Sequence, residues 1–141
     1  MIGKKISFVD IPEKEGTIVH YEKGAEIPFA AERIFCICDV PVGTSRMNFA
    51  SITADHVLTM IRGNAILHLD GVKEQRTYKL RRKNEGVYVP KLVWMRVEDF
   101  SEDAILMVFS NKTRMQSSMI ERYDEFVRIK EEKMYRKWYQ K

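Results

Sequence analysis

The chain has 141 residues, of which 45% are hydrophobic and 31% are charged, and its formal net charge is +4. A chain of this length and composition is expected to form one folded domain, which excludes a wholly disordered protein. The lysines and arginines are spread along the chain, so the modest positive charge favours an anionic partner only weakly, and we expect no nucleic-acid partner.

The N-terminal segment lacks the apolar run of a secretory signal peptide, and no stretch approaches the roughly 18 to 20 apolar residues that a membrane helix needs. We therefore expect a cytoplasmic protein with no membrane partner. The two cysteines, Cys36 and Cys38, are separated by one residue. On a strand both would point to the same face, and we interpret them as core packing rather than as a redox or metal pair.

Short apolar segments separated by turn residues predict a chain built mainly of strands. Gly63-Asn64 predicts a two-residue hairpin turn, and Asp70-Gly71 closes the next hairpin. Many short strands at this spacing are typical of a sandwich or a small barrel. In chain order the predicted strands are 4–10, 16–22, 32–39, 45–52, 56–62, 65–70, 75–80, 86–89, 92–98 and 103–109.

The pattern changes at about residue 117, where apolar residues begin to recur at helical intervals with Glu and Lys between them. We predict a barrel domain over 1–116 and a C-terminal helix over 117–141, which packs on the barrel or on a partner within a single domain. The apolar residues of this segment are Ile120, Tyr123, Phe126, Val127, Met134 and Trp138.

The segment 43–63, GTSRMNFASITADHVLTMIRG, has the spacing of the first cupin motif. In that motif positions 49 and 51 are usually histidine and position 56 is Glu or Gln. Positions 49 and 51 share one face of a strand, and a turn returns position 56 to the same barrel mouth. The segment 86–100, GVYVPKLVWMRVEDF, resembles the second cupin motif, whose histidine would follow Trp94.

The resemblance extends to a narrower family. The segments IPFAAERIFCICDVP, SRMNF, GVYVPKLVWMRVEDF and IERYDEF resemble the sugar-nucleotide 3,4-ketoisomerases, over about residues 4 to 128. This resemblance implies an all-β, cupin-like jelly-roll β-barrel with a C-terminal α-helix. It also implies a homodimer with an exchanged strand, and an activity on dTDP-linked 4-keto-6-deoxyhexoses in bacterial surface-glycan synthesis.

The chain departs from that family at the positions that carry its histidines, which are Phe49, Ser51 and Met95 here. Moving a carbonyl from C4 to C3 requires a base and an acid with a pKa near neutrality, which histidine supplies without tuning. We therefore predict loss of the usual catalysis. One histidine, His56, falls at a motif position, and a single imidazole cannot make a metal site, so we expect no metal and no cofactor.

The candidate ligand-binding residues each have a structural alternative. Arg33 and Arg46 match family arginines and could hold a pyrophosphate, or they could form salt bridges at the rim. His56 could contact a ligand or act as a residual acid–base group, or it could be a satisfied structural histidine. Tyr88 and Trp94 could stack on a base or a sugar, although aromatic residues in strands are more often core.

Ser51 completes the candidate ligand-binding set, although its hydroxyl is a poor base without an activating neighbour. Phe49, Met95 and Ile52 make the pocket more apolar than in the enzymes, which suits either a hydrophobic ligand or simple filling of the space.

Two functions remain open at this point. The chain is a ketoisomerase-family member that binds a nucleotide-linked deoxysugar without the usual histidine catalysis, or it is a non-enzymatic cupin that acts as a binding or scaffold subunit through its dimer and C-terminal helix. An open pocket at which Arg33 and Arg46 converge would favour the first function. A pocket filled by Phe49 and Met95 would favour the second.

Overall fold

The computed structural model describes residues 1–24 and 26–139, which form twelve strands and one helix. These elements are β1 (Lys4–Ser7), β2 (Asp10–Glu13), β3 (Gly16–Val19), β4 (Arg33–Cys38), β5 (Arg46–Ser51), β6 (His56–Arg62), β7 (Ala65–Asp70), β8 (Gln75–Leu80), β9 (Glu85–Val89), β10 (Trp94–Glu98), β11 (Ile105–Ser110), β12 (Met119–Ile120) and α1 (Tyr123–Tyr139).

Two five-stranded sheets face each other across the main core. The first has the order β1-β9-β6-β11-β4, the second has the order β12-β5-β10-β7-β8, and neighbouring strands are antiparallel throughout. Leu58 and Leu106 from the first sheet meet Leu67 and Met95 from the second, and each of the four is at most 1% exposed. The predicted all-β fold with a C-terminal helix is confirmed.

Three consecutive strands, β6 to β8, have the bounds that the sequence predicts, and the predicted turn joins the first two. β6, β7 and β8 cover the predicted segments 56–62, 65–70 and 75–80. Gly63, in the β6–β7 turn, has a φ of 73°, which strongly favours glycine. A Cβ at this position would lie 2.3 Å from Ser101 Oγ and 2.8 Å from Ala104 Cα, so a side chain is also excluded by space.

Each sheet is covered on its outer face by a different part of the chain. The N-terminal segment covers the first sheet through an aromatic cluster in which Tyr21 lies 4.7 Å from Phe8 and 5.7 Å from Phe109, measured between ring centroids. Helix α1 covers the second sheet, where its fully buried Phe126 packs 5.8 Å from Trp94. Aromatic residues in the strands thus hold the terminal segments against the barrel.

The structure differs from the sequence prediction at both ends of the chain. The predicted strand 4–10 is divided into β1 and β2, and β2 pairs with β3 in a separate ribbon. The helix begins at Tyr123 rather than near residue 117, because Met119–Ile120 pairs with β5 as β12. Within the predicted helical segment, residues 140–141 lie outside the described residues.

The interpretation of the cysteines as core packing is wrong. Cys36 and Cys38 do share one face of β4, as expected, but that face is exposed to solvent. Phe35 and Ile37 occupy the inward positions and pack against the main core. Because every residue of the run IFCIC is apolar, alternation alone did not reveal which face of this edge strand is buried.

Candidate ligand-binding site

Strand register brings Arg33 and His56 into one row at one end of the barrel. Ser110 of β11 is the Cα partner of Arg33 on β4 and also of His56 on β6. The two side chains are therefore two strands apart on the first sheet. From the opposite sheet, Phe49 approaches His56 with a ring-centroid distance of 6.1 Å in an edge-to-face arrangement.

Arg33 and Arg46 converge on one open cleft of about 550 Å³, which we call the arginine cleft. A volume of this size is within the usual range of small-molecule sites. Phe49 is half-buried and forms part of the wall rather than filling the space. The other lining residues are Phe35, Cys36, Ile37, Met47, Asn48, Met119 and Glu121.

Arg33 is held on an aromatic surface and carries an unsatisfied donor. Its guanidinium carbon lies 4.7 Å from the ring centroid of Phe35, which is a cation–π contact. Its Nε is buried and makes no hydrogen bond to any residue in 1–24 or 26–139. A buried donor without an acceptor costs about 1–3 kcal/mol, so the Nε of Arg33 is in an unfavourable state.

His56 is buried, with 2% of its surface exposed, and it is neutral near pH 7. Burial, and after it the positive charge of Arg33, lowers its pKa to about 4, although Asp55 offsets part of this effect. A neutral imidazole can accept or donate a hydrogen bond. As a proton acceptor it is weak, because its conjugate acid is strong.

The three positions at which the sequence predicts missing histidines are adjacent in space. Phe49 and Ser51 lie on the same strand two residues apart, and Met95 on β10 is the Cα partner of Phe49. Met95 is 1% exposed and belongs to the main core. The prediction that these positions share one side of the barrel agrees with this geometry, and none of the three carries a group that titrates near neutrality.

Ser51 has a structural role in this arrangement. Its hydroxyl oxygen accepts a hydrogen bond of 2.9 Å from the backbone N–H of Ala54, and the hydroxyl donates to the carbonyl of Ser118 at 3.5 Å. The side chain thereby closes the turn after β5 and connects it to the segment before α1. It is 3% exposed and is not among the residues that line the arginine cleft.

The structure does not bring Tyr88 and Trp94 to the arginine cleft. Tyr88 points to the outer face of the first sheet, where its ring centroid lies 6.5 Å from that of Phe29. Burial and a hydrogen bond with Asp55 raise its pKa. Trp94 lies on the outer face of the second sheet beneath α1. Each is the outward neighbour of an inward-facing residue, which sequence similarity alone did not reveal.

Sequence reasoning missed seven of the ten residues that line the arginine cleft, among them Phe35, Asn48 and Glu121. Phe35 could have been found, because it is two residues from Arg33 and therefore shares its face of β4. Asn48 and Glu121 had no such signal, since they reach the cleft through the irregular start of β5 and the segment between β12 and α1. Met47, next to Asn48, has a φ of 63°, which marks this irregularity.

Neither a metal cluster nor a membrane helix is found in the part of the chain that the structure describes. No group of three or more His, Cys, Asp or Glu side chains that could hold a metal ion occurs within 1–24 and 26–139. No helix within the same residues is long and apolar enough to cross a membrane. The expectation that the protein needs no metal stays a prediction.

Comparison with protein families assigns the chain. The model of the family described as FdtA, WxcM-like, C-terminal matches residues 3–131. The chain belongs to this family. It is 29% identical over 126 residues to the TDP-4-oxo-6-deoxy-alpha-D-glucose-3,4-oxoisomerase of Aneurinibacillus thermoaerophilus. The aligned region covers 89% of this chain and 91% of that protein.

Solved structures of the same kind share the fold. A 3,4-ketoisomerase from Helicobacter canadensis is 27% identical, with a TM-score of 0.84 over 92% of this chain and 97% of that one. A histidine-to-asparagine variant of the 3,4-ketoisomerase QdtA from Thermoanaerobacterium thermosaccharolyticum is 25% identical, with a TM-score of 0.85 over 92% and 94%. That variant was solved in complex with TDP-4-keto-6-deoxyglucose. The predicted cupin-like jelly-roll fold and the relationship to TDP-sugar 3,4-ketoisomerases are confirmed.

Proposed function

We propose that this chain binds a nucleotide-linked keto-deoxysugar in the arginine cleft and lacks the histidine acid–base catalysis of its relatives. The observation that carries the proposal is the convergence of Arg33 and Arg46 on one open cleft, with the Nε of Arg33 buried and unsatisfied. A diphosphate offers several acceptor oxygens, and guanidinium groups bind such oxygens through charge-assisted hydrogen bonds.

The wall of the cleft suits the sugar part of such a ligand. Phe35 and Phe49 present aromatic surface, and Asn48 and Glu121 supply polar groups that could orient hydroxyls. Aromatic surface combined with a few polar groups is typical of small-molecule sites. The QdtA variant bound to its keto-sugar nucleotide supports a separation of binding from histidine chemistry, since that protein holds the ligand with one histidine replaced.

The reacting groups for isomerisation are the part that this chain lacks. The reaction removes a proton from C3 and returns one to C4, which requires a group that exchanges protons near neutral pH. Phe49 and Met95 have no such group, and the hydroxyl of Ser51 is engaged with Ala54 and Ser118. His56 is the remaining titratable imidazole at the cleft end, and its pKa of about 4 makes it a poor base.

The test separates binding from turnover on the same preparation. Titration with thymidine diphosphate and with TDP-4-keto-6-deoxyglucose should show saturable binding of both, and a 3,4-isomerisation assay should show no turnover above background. Robust isomerisation that disappears in His56→Ala would contradict the proposal, because it would place the acid–base chemistry on His56. Absence of binding to either nucleotide would contradict the binding half.

A second candidate is a non-enzymatic scaffold subunit, and it is favoured by one observation on the C-terminal helix. Trp138 is 74% exposed at the end of α1, and Tyr135 is also exposed. If the helix rather than the cleft carries the function, Trp138→Ala should disrupt assembly with a partner and leave thymidine diphosphate binding unchanged.

The homodimer is part of both candidates. The ribbon β2–β3 is two-stranded and exposes Ile11 and Ile18, and such a ribbon is only marginally stable by itself. In the single chain β1 pairs with its own β9, so an exchanged N-terminal strand stays a prediction. Light scattering should give about twice the chain mass of 16.6 kDa, and a mass of one chain at micromolar concentration would contradict the dimer.

A further inference from the structure

A second concavity lies at the other end of the barrel from the arginine cleft. It is enclosed by the end of β6, the loop between β8 and β9, and the β2–β3 ribbon, and its volume is about 510 Å³. β6 runs from His56, which is in the same row as Arg33, to Arg62 at this concavity, and seven strand residues span about 20 Å. No residue lines both sites.

The walls of this concavity are strongly and one-sidedly charged. Four cationic side chains line it, Arg62, Arg81, Arg82 and Lys83, and one carboxylate, Asp10, does so as well. We call this group the basic concavity. Like charges brought together on a surface repel one another, so such a group is unfavourable for the empty protein unless an anion offsets it.

The cations are poorly neutralised by the rest of the protein. Arg62 lies 4.0 Å from Asp103, and Arg82 lies 3.8 Å from Glu85, both beyond hydrogen-bond distance. Within 1–24 and 26–139, Arg81 and Lys83 make no ion pair at all. The single carboxylate that lines the concavity, Asp10, can offset one of the four positive charges, and it also accepts a hydrogen bond of 3.2 Å from the amide of Asn84.

The loop that carries three of the cations is fixed in place at its backbone. The hydroxyl of Tyr21 donates to the carbonyl of Lys83, and the N–H of Phe8 donates to the carbonyl of Asn84 at 2.8 Å. Tyr21 itself packs in the aromatic cluster on the first sheet. The backbone positions of the cations are thus set before a ligand arrives, which lowers the ordering cost of binding.

We propose that the basic concavity is a second binding site, for a small anion that carries a phosphate or pyrophosphate group. Three arginines and one lysine match such a group, because guanidinium forks pair with phosphate oxygens and lysine adds a point charge. The volume suits a small molecule rather than a polymer. The site is independent of the arginine cleft and does not rest on the function proposed for it.

The test uses inorganic pyrophosphate as the probe, with the full chain carrying Arg33→Gln so that the arginine cleft contributes little. Calorimetric titration should show saturable binding with one equivalent per chain. Adding Arg81→Gln, Arg82→Gln and Lys83→Gln should weaken the affinity for pyrophosphate at least about tenfold, because the loss of one charge-assisted hydrogen bond has about this effect. If the Arg33→Gln variant does not fold, the same titrations are carried out on a chain that carries Arg46→Gln instead.

A matched control removes the same charge elsewhere. Arg114→Gln, Arg136→Gln and Lys137→Gln together lower the net charge by three on exposed surface outside both sites, and they should leave binding within about twofold, as expected for the loss of screened long-range charge alone. Equal losses in the two triple variants, or no saturable binding, would overturn the proposal.

The source of the phosphate group is distinguished in the same background. Comparable binding of thymidine diphosphate and pyrophosphate supports a nucleotide ligand, and binding of pyrophosphate alone supports a free anion. The nucleotide proposal for the arginine cleft is judged separately, by the loss of thymidine diphosphate affinity that Arg33→Gln produces in an otherwise unaltered chain.

Discussion

The two ends of β6 present positive charge in different surroundings. At the arginine cleft, Arg33 lies over Phe35 near the buried His56, and its charge helps to hold the pKa of that imidazole low. At the basic concavity, Arg62 and its neighbours are exposed and face no buried titratable group within the described residues. The same residue type therefore perturbs its surroundings strongly only where water is excluded.

This difference separates the two anion sites that we propose. We expect a partly buried arginine with an unsatisfied Nε to give a directional site, in which geometry selects the ligand. Several exposed cations around a concavity give a site that depends on summed charge and is sensitive to salt. We expect substitutions at the two ends to differ in size and in character, and the following predictions are ordered from the largest effect to the smallest.

Introducing histidines at the three positions where we predict that acid–base groups are missing should have the largest effect. Phe49→His, Ser51→His and Met95→His together should produce measurable 3,4-isomerisation, since positioned acid–base groups contribute about 100- to 10,000-fold each. The measurement is product formation from TDP-4-keto-6-deoxyglucose. The control replaces the same positions by glutamine, which is polar but does not titrate.

Folding decides how the restored variant is interpreted. Met95 is 1% exposed, so a polar ring at this position is expected to cost about 1–3 kcal/mol of unfolding free energy. Circular dichroism and denaturant unfolding should therefore precede the assay. Equal turnover in the histidine and glutamine variants would show that the activity does not come from acid–base groups.

The second prediction concerns the buried imidazole. The pKa of His56 is about 4 in the folded protein, against 6.5 for the ordinary group, so the unfolded chain binds a proton more readily between these values. The unfolding free energy should thus fall as pH drops from about 6.5 to 4, by up to about 3 kcal/mol, with no further contribution below pH 4.

Denaturant unfolding of the wild type and of His56→Gln at pH 7, 5.5 and 4.5 measures this contribution. The variant should lose less stability over the interval, because glutamine does not titrate. His68→Gln serves as the control, since His68 is more exposed and pairs with Glu98 at 2.7 Å. Parallel curves for the wild type and His56→Gln would show that burial of His56 does not affect its protonation.

The third prediction tests the directional character of the arginine cleft. Arg33→Gln should weaken thymidine diphosphate binding at least about tenfold, because a charge-assisted hydrogen bond is worth about 1.5–3 kcal/mol. Arg136→Gln on the exposed surface of α1 removes the same charge and should change the affinity less than about twofold. If both variants lose the same affinity for thymidine diphosphate, Arg33 acts only through long-range electrostatic attraction.

The smallest effect is expected on stability at the basic concavity. Arg81→Gln should change the unfolding free energy by no more than about 0.5 kcal/mol, since exposed side chains without close partners contribute little. Relief of repulsion would make the change stabilising, and this gain should diminish as salt is added. A loss above about 1 kcal/mol would indicate that Arg81 has a structural role.

Sequence by itself determined the strand content, the β6–β7 hairpin and the family, whereas the predicted loss of the family's histidines at positions 49, 51 and 95 stays a prediction. These properties are local: alternation, turn residues and motif spacing are written in neighbouring residues, and Phe49, Ser51 and His56 reached the expected end of the barrel. Tertiary structure decided what depends on neighbours distant in the chain. It placed Tyr88 and Trp94 on outer faces, exposed Cys36 and Cys38, and used Met119–Ile120 as a strand.

The two proposed anion sites illustrate the physical reason. Arg33 could be nominated from its motif, whereas Arg62 joins Arg81, Arg82 and Lys83 only because β6 and the β8–β9 loop end at the same side of the barrel. In the amino-acid composition, the charges of these four residues contribute only to a net charge of +4. Their concentration at one concavity, like the low pKa of His56, arises from distances and burial that only the folded chain creates.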